Sequence, residues 1–301
     1  MAEFNLQKIL SKLKWMKEKK IWPNGVRYLW TDAHGVCALL SLYHHLQDST
    51  YLEEAKNVVK SVYDVLGRPR GLRIGEEPDR DGQYYHYLTK WIFALNQLGK
   101  IEPEYHERAV QLAKDVHKSF VVPGIGVHWK MLEDLSGSYP GYGLGGLDFY
   151  DGYVQYKLLD PNALSTEIGQ MSALIHKDYN SFSCTQDLGL GESLWMSHFF
   201  PNEQWSKVIK ERSIATLDSM WIEKSKDSGY FCRHPSQRSV KFAFTNFGVS
   251  YGLQAYDLWP DRVLKLNNFF DGYKSHDDYD LKAITHVMHL NSLFPGVLLK
   301  K

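Results

Sequence analysis

Four acidic residues of this sequence sit in short motifs with glycine: Asp32 in DAHG, Asp81 in RDGQ, Asp151 in YDG and Glu192 in GES. Glycine near an acid lets a backbone or a ligand approach closely. When several carboxyls share a poorly solvated space, repulsion pushes one to keep its proton while another stays ionised. That division equips a site for general acid–base chemistry. The favoured acid/base pair is Asp81 with Glu192, and Asp32 and Asp151 come next. An acid, Thr or Asn ahead of a helix is also an ordinary cap and favours the helix dipole. Asp187, Thr245, Asp278 and Asp280 read best as caps.

A second set of residues suits binding. Tyr84, Trp129 and Tyr142 offer flat faces that could stack on the apolar face of a sugar ring, although aromatics also fill cores. Trp129 and Tyr142 belong to a long, glycine-rich connection, 121–145, which reads as a lid because long loops in compact domains are usually functional or mobile. No GK[ST] follows its glycines, so a phosphate cradle is poorly supported. His34, Gln83, His128, Asn246 and His286 are further candidates for substrate contact, and Arg233 suits a substrate carboxylate or phosphate. Histidine also opens a rival chemistry, because a neutral imidazole carries protons near neutral pH. On that reading His34 and His286 matter more than the carboxylates. His286 and His289 could share one helical face, yet no clear third ligand accompanies them, so neither metal nor cofactor is expected.

These residues need elements that gather them. Segments such as 51–66, 104–119, 161–176 and 203–224 carry apolar residues at three-to-four spacing between charges, the pattern of a helix wet on one side. They alternate with segments rich in Gly, small and aromatic residues and poor in lysine: 30–46, 79–98, 145–159, 188–200, 245–258 and 278–294. Each enclosed segment opens with polar or acidic residues. Six wet and six enclosed helices make twelve, and the irregular spacing of the enclosed starts excludes a solenoid of fixed period. If the enclosed helices all begin at one mouth, their starts converge. That would bring together Asp32 and His34, Asp79, Asp81 and Gln83, Asp148 and Asp151, Asp187 and Glu192, Thr245 and Asn246, and Asp278, Asp280 and the deeper His286.

The alternation of wet outer and aromatic, glycine-containing inner helices with acidic starts resembles the (α/α)6 toroids of glycoside hydrolases, polysaccharide lyases and sugar 2-epimerases. The resemblance covers essentially the whole chain as architecture and matches no one family's catalytic motif. It implies an all-α fold, one domain over 1–301 of six helical hairpins with long mouth loops, and a central funnel that takes a small-molecule or oligosaccharide substrate. A glycoside hydrolase using paired carboxylates is the expected function. A sugar 2-epimerase using histidines is the alternative, and so is a terpene- or peptide-cyclase-like toroid around an apolar ligand. For the cyclase, DDYD at 277–280 is only a faint echo of the expected acidic motif.

Composition narrows the partners. Lys plus Arg and Asp plus Glu both number 35, so the net charge is zero and no basic excess awaits a nucleic acid or an acidic membrane. The 44% hydrophobic and 23% charged content is that of a folded protein, and no apolar run is long enough to span a bilayer. Three cysteines, Cys37, Cys184 and Cys232, form neither a disulfide framework nor a zinc motif. A cytoplasmic protein is expected.

Overall fold

Two kinds of sequence give two kinds of helix. In α3 (Ser49–Leu66) the buried side chains are Leu52, Ala55, Val58, Val59, Val62 and Leu66, while Lys60 and Asp64 pair on the exposed face. One stripe faces the core and the rest faces water, as the three-to-four spacing predicts. α2 (Leu29–Leu46) has no such polarity: every residue from Leu29 to Leu40 is buried. A helix enclosed on all sides must supply partners for each polar group it carries. That requirement shapes the site.

The computed structural model describes residues 5–221, 244–269 and 282–294. The chain divides into two compact units, one of residues 25–178 and one of residues 1–24 with 179–301. In the first, α2 packs against α3 and against α4 (Tyr85–Gly99). α4 packs in turn on α5 (Pro103–Phe120) and α6 (Asp148–Leu159), and α6 on α7 (Ser165–Asp178). The enclosed helices α2, α4 and α6 are thus neighbours, and each is backed by the wet helix that comes after it in the chain.

The second unit repeats the scheme. α8 (Asp187–His198) and α10 (Phe244–Ala255) are its closest pair, with α9 (Gln204–Trp221) behind α8 and α11 (Pro260–Phe269) behind α10. α12 (Ala283–Ser292) packs on α10 and meets α1 (Leu6–Glu18). Glycine brings α8 and α10 together: a Cβ on Gly191 would stand 2.2 Å from the carbonyl oxygen of Gly248, and one on Gly252 would stand 2.4 Å from that of Gly191. Leu190, Leu194, Leu217, Val249, Leu253, Val263 and Leu266 form the core of this unit.

Among the described residues twelve helices alternate as the periodicity predicts, with two differences. α4 starts at Tyr85 rather than near 79, because β1 (Gln83–Tyr84) pairs antiparallel with β4 (Lys130–Met131). The 121–145 connection is not a free lid. β2 (Val121–Val122) pairs with β3 (Gly126–Val127), and backbone bonds pin the remainder of the connection, among them Trp129 to Gly143 (3.0 Å), Tyr139 to Lys130 (2.9 Å) and Gly145 to Val127 (2.9 Å). Two-residue strands leave almost no alternation to read, so periodicity could not reveal them.

Candidate active site

Within residues 25–178 the first turns of α2, α4 and α6 come together. Asp151, in the first turn of α6, is 2% exposed and accepts hydrogen bonds from the ammonium of Lys90 (2.8 Å), the hydroxyl of Thr89 and the amide of Gln155 (3.3 Å). Lys90 and Thr89 lie one turn into α4, so this ion pair ties α4 to α6. A lysine in an enclosed helix demands a buried acid, and Asp151 answers it.

Asp148 lies three residues earlier on α6, on the same helical face. Its side chain is 5% exposed and makes no hydrogen bond to any described residue; the Nδ1 of His86, on α4, stands 3.7 Å away. Burial, reinforced by the neighbouring Asp151 carboxylate, holds the Asp148 carboxyl well above the usual range and so favours its protonated form. Lys90 works against this shift, but its direct bond goes to Asp151. The carboxyl also occupies the place a side chain would take on Gly145: a Cβ there would stand 1.4 Å from Asp148 Oδ2.

Around this pair stands a group of rings. Trp30 of α2 lies 4.7 Å from the ring of His34 and 5.9 Å from that of His86. Burial lowers His34 to about 4 although the Trp30 carbonyl partner opposes the shift, and burial with nearby Lys90 lowers His86 to about 3. Both imidazoles are therefore neutral near pH 7. Tyr84 stacks on Trp129 (centroids 5.8 Å apart, planes at 27°), and Tyr142 lies 5.3 Å from Trp129. Trp129 is 43% exposed, which leaves much of its surface open to a ligand. Beneath this platform the buried Lys130 ammonium lies 4.3–5.0 Å from the rings of Tyr139, Tyr84 and Tyr142, and it donates to the Glu76 carboxylate (3.3 Å) and the Arg80 carbonyl. His128, half-buried beside the platform, bridges to Leu144 through its backbone.

Other candidates are occupied by the scaffold. Asp81 accepts from the backbone N–H groups of Ile74 (3.1 Å), Gly75 (3.2 Å) and Gly82 (2.8 Å) and pairs with Arg73. Those contacts engage both oxygens and wrap residues 73–82 around the carboxylate. Asp32 pairs with Arg27 (3.1 Å) and accepts from the Tyr28 N–H at the start of α2 (3.1 Å). Gln83 accepts from Leu72 and donates to the carbonyls of Arg70 and Glu133. Through these contacts all three hold loops and helix ends in place.

In the other unit, Glu192 is half-buried in the second turn of α8. The starts of α8 and α10 meet there, where the Thr245 hydroxyl donates to Asp187, and the buried Asn246 lies beside them. His286 turns toward α1, 2.9 Å from the Lys12 ammonium and edge-on to Trp15. Arg233, Asp278, Asp280 and the DDYD stretch lie outside the described residues. Among the described residues no group of three His, Cys, Asp or Glu side chains is placed to hold a metal, and no helix is long and apolar enough to cross a membrane.

The sequence gathers Asp148 among the helix starts without ranking it, and by itself gives Lys90 no role. The legible signals were the Asp148–Asp151 spacing, which puts both on one face, and a single lysine in an otherwise enclosed segment.

No family model and no curated protein matches the chain. Solved structures do. An α-mannanase of glycoside hydrolase family 76 from Bacteroides thetaiotaomicron is 11% identical, with a TM-score of 0.65 over 94% of this chain and 95% of that one. The α-1,6-mannanase GH76A of Salegentibacter sp. HEL1_6 is 11% identical, with a TM-score of 0.64 over 98% of this chain and 100% of that one. The cellobiose 2-epimerase of Spirochaeta thermophila is 13% identical, with a TM-score of 0.61 over 92% of this chain and 88% of that one. The fold class is the all-α (α/α)6 toroid. At such identities the likeness carries the fold alone, and activity rests on the site.

Proposed function

We propose that the chain, working as one catalytic domain over residues 1–301, is a glycoside hydrolase that takes an oligosaccharide, with Asp148 as general acid and Asp151 as the carboxylate that stabilises or activates on the other side of the reaction. The observation that carries this is the Asp148 carboxyl, 5% exposed, three residues before Asp151 on one helical face and without a hydrogen-bond partner among the described residues, a setting that favours its protonated form. Glycosidic cleavage needs one carboxyl that brings a proton and one that stays ionised. Asp151, ion-paired with Lys90, supplies the second. Trp129, Tyr84 and Tyr142 provide a stacking face for a sugar ring next to His86. The structural neighbours support the reading: an inactive variant of the Salegentibacter mannanase, with two aspartates changed to asparagine, is in complex with α-1,6-mannotriose. An odd set of three cysteines supports a reducing, cytoplasmic setting.

The epimerase reading has its own observation, two neutral histidines sharing Trp30. Proton abstraction near neutral pH works best with a base whose pKa lies close to the working pH. At about 4 and about 3, His34 and His86 are feeble bases, and the hydrolase is favoured. Incubation with α-1,6-mannotriose, α-1,6-mannotetraose and cellobiose in heavy water, followed by mass spectrometry, separates the two. Gain of one water per cleavage is expected. Exchange of carbon-bound deuterium at unchanged chain length would establish the epimerase instead, and no change in any sugar would count against both.

A further inference from the structure

His86 stands between Asp148 and the aromatic platform. Its Nδ1 is 3.7 Å from Asp148, and its ring lies 5.4 Å from Tyr84 and 6.3 Å from Trp129. Its side chain is 29% exposed against 5% for Asp148, so a ligand that touches the acid meets His86 first. A neutral imidazole offers one acceptor, and a protonated carboxyl offers one donor. Side by side they complement a sugar edge: the carboxyl donates to one oxygen while the imidazole accepts from the hydroxyl beside it.

The charges around the pair point the same way. Lys90 is bound to Asp151, Arg27 to Asp32, Arg73 to Asp81, and Lys130 to Glu76 and a carbonyl within its tyrosine cage. Each of these cations already faces an acid of its own unit. A uronate or a sugar phosphate entering here would surrender its hydration without gaining an ion pair, and a charge buried without a partner is costly.

We propose that His86 is a specificity-determining residue, accepting a hydrogen bond from a hydroxyl next to the oxygen that Asp148 approaches, so that the site selects uncharged sugars over uronates and phosphosugars. The inference rests on the carbohydrate reading, and its test separates the two. Binding to the full chain would be measured by calorimetry with α-1,6-mannotriose and cellobiose as neutral probes, and with trigalacturonate and mannose 6-phosphate as charged ones. At least one neutral probe should bind about tenfold or more tighter than either charged one, the discrimination expected when a desolvated charge lacks a partner. His86→Phe, which keeps the ring and removes the acceptor, should weaken that binding by about tenfold, and His86→Gln, whose amide oxygen can accept, should restore most of it. Preferential binding of a charged probe would overturn the inference and leave the carbohydrate reading standing. So would unchanged affinity in a folded His86→Phe. Silence from all four probes would overturn the carbohydrate reading and this inference with it. Should His86→Phe fail to fold, the wild-type comparison of neutral with charged probes and the His86→Gln affinity still decide.

Discussion

A carboxyl that keeps its proton inside a protein is a stability statement as well as a chemical one. The folded-state pKa of Asp148 is raised by burial and by Asp151, so the folded chain holds a proton that the unfolded chain releases above about pH 4. Its contribution to stability is therefore full below that pH and is lost as pH rises toward the folded value. Asp148→Asn removes the titration and keeps the shape. Its melting temperature should gain on wild type as pH is raised from about 4 to about 7, while hydrolysis falls by a factor on the order of a hundred or more. A gap between the two melting curves that does not widen with pH would show that Asp148 is ionised in the fold. Gly145 offers an independent handle, because a methyl there would coincide with the Asp148 carboxyl. Gly145→Ala should displace the acid and lower the hydrolytic rate at least tenfold, with binding to the Trp129 platform retained, so kcat should fall far more than KM rises. At this scale the sequence was only partly legible. Asp81 and Asp148 both look like acids at helix starts, and nothing in residue type foretells that one is enclosed by three N–H groups and an arginine while the other has no hydrogen bond to a described residue.

At the scale of elements, the helices were legible because burial and exposure impose different periodicities. α3 shows its wet face in Lys60 and Asp64, and α2 shows enclosure in a run without charge beyond Asp32. The β1–β4 and β2–β3 pairs were hidden because their partners are distant or their strands too short for alternation. Glycine was legible as a sign of close approach but not of where. At α8 and α10 the structure places Gly191 and Gly252 where a side chain would strike a facing backbone carbonyl. In an exposed helix Gly→Ala stabilises by about 1 kcal/mol. Here the sign should reverse: Gly191→Ala should destabilise by about 1–3 kcal/mol, because two packed helices must move apart to admit the methyl. Denaturant unfolding of wild type and variant decides it, and a stabilised Gly191→Ala would mean that α8 and α10 do not meet at these glycines.

Over the whole molecule, both units bury neutral histidine. His34 lies in the first, and in the second His289, stacked 4.7 Å from Phe247, is lowered by burial and by the charges of Lys12 and Lys8. A histidine whose folded pKa is depressed contributes stability that is present above its unfolded value of about 6.5 and lost as pH falls through the folded value. For His34, 2% exposed and lowered to about 4, the loss across that window amounts to roughly 3 kcal/mol. Asp148 acts in the opposite sense, and stability should therefore pass through a maximum rather than climb steadily with pH. Acidification from about pH 6.5 toward about pH 4 should lower the denaturant midpoint of wild type more than that of His34→Phe, which has nothing to protonate there. The mutation also removes the bond from His34 Nδ1 to the Trp30 carbonyl (2.9 Å), so the variant should start from a lower midpoint near neutrality and the two should converge as the pH falls. Midpoints that fall in parallel would show that His34 stays exposed enough to protonate in the fold. The neutral pair that faces Trp30, on which the choice of hydrolase over epimerase turns, would then have to be redrawn.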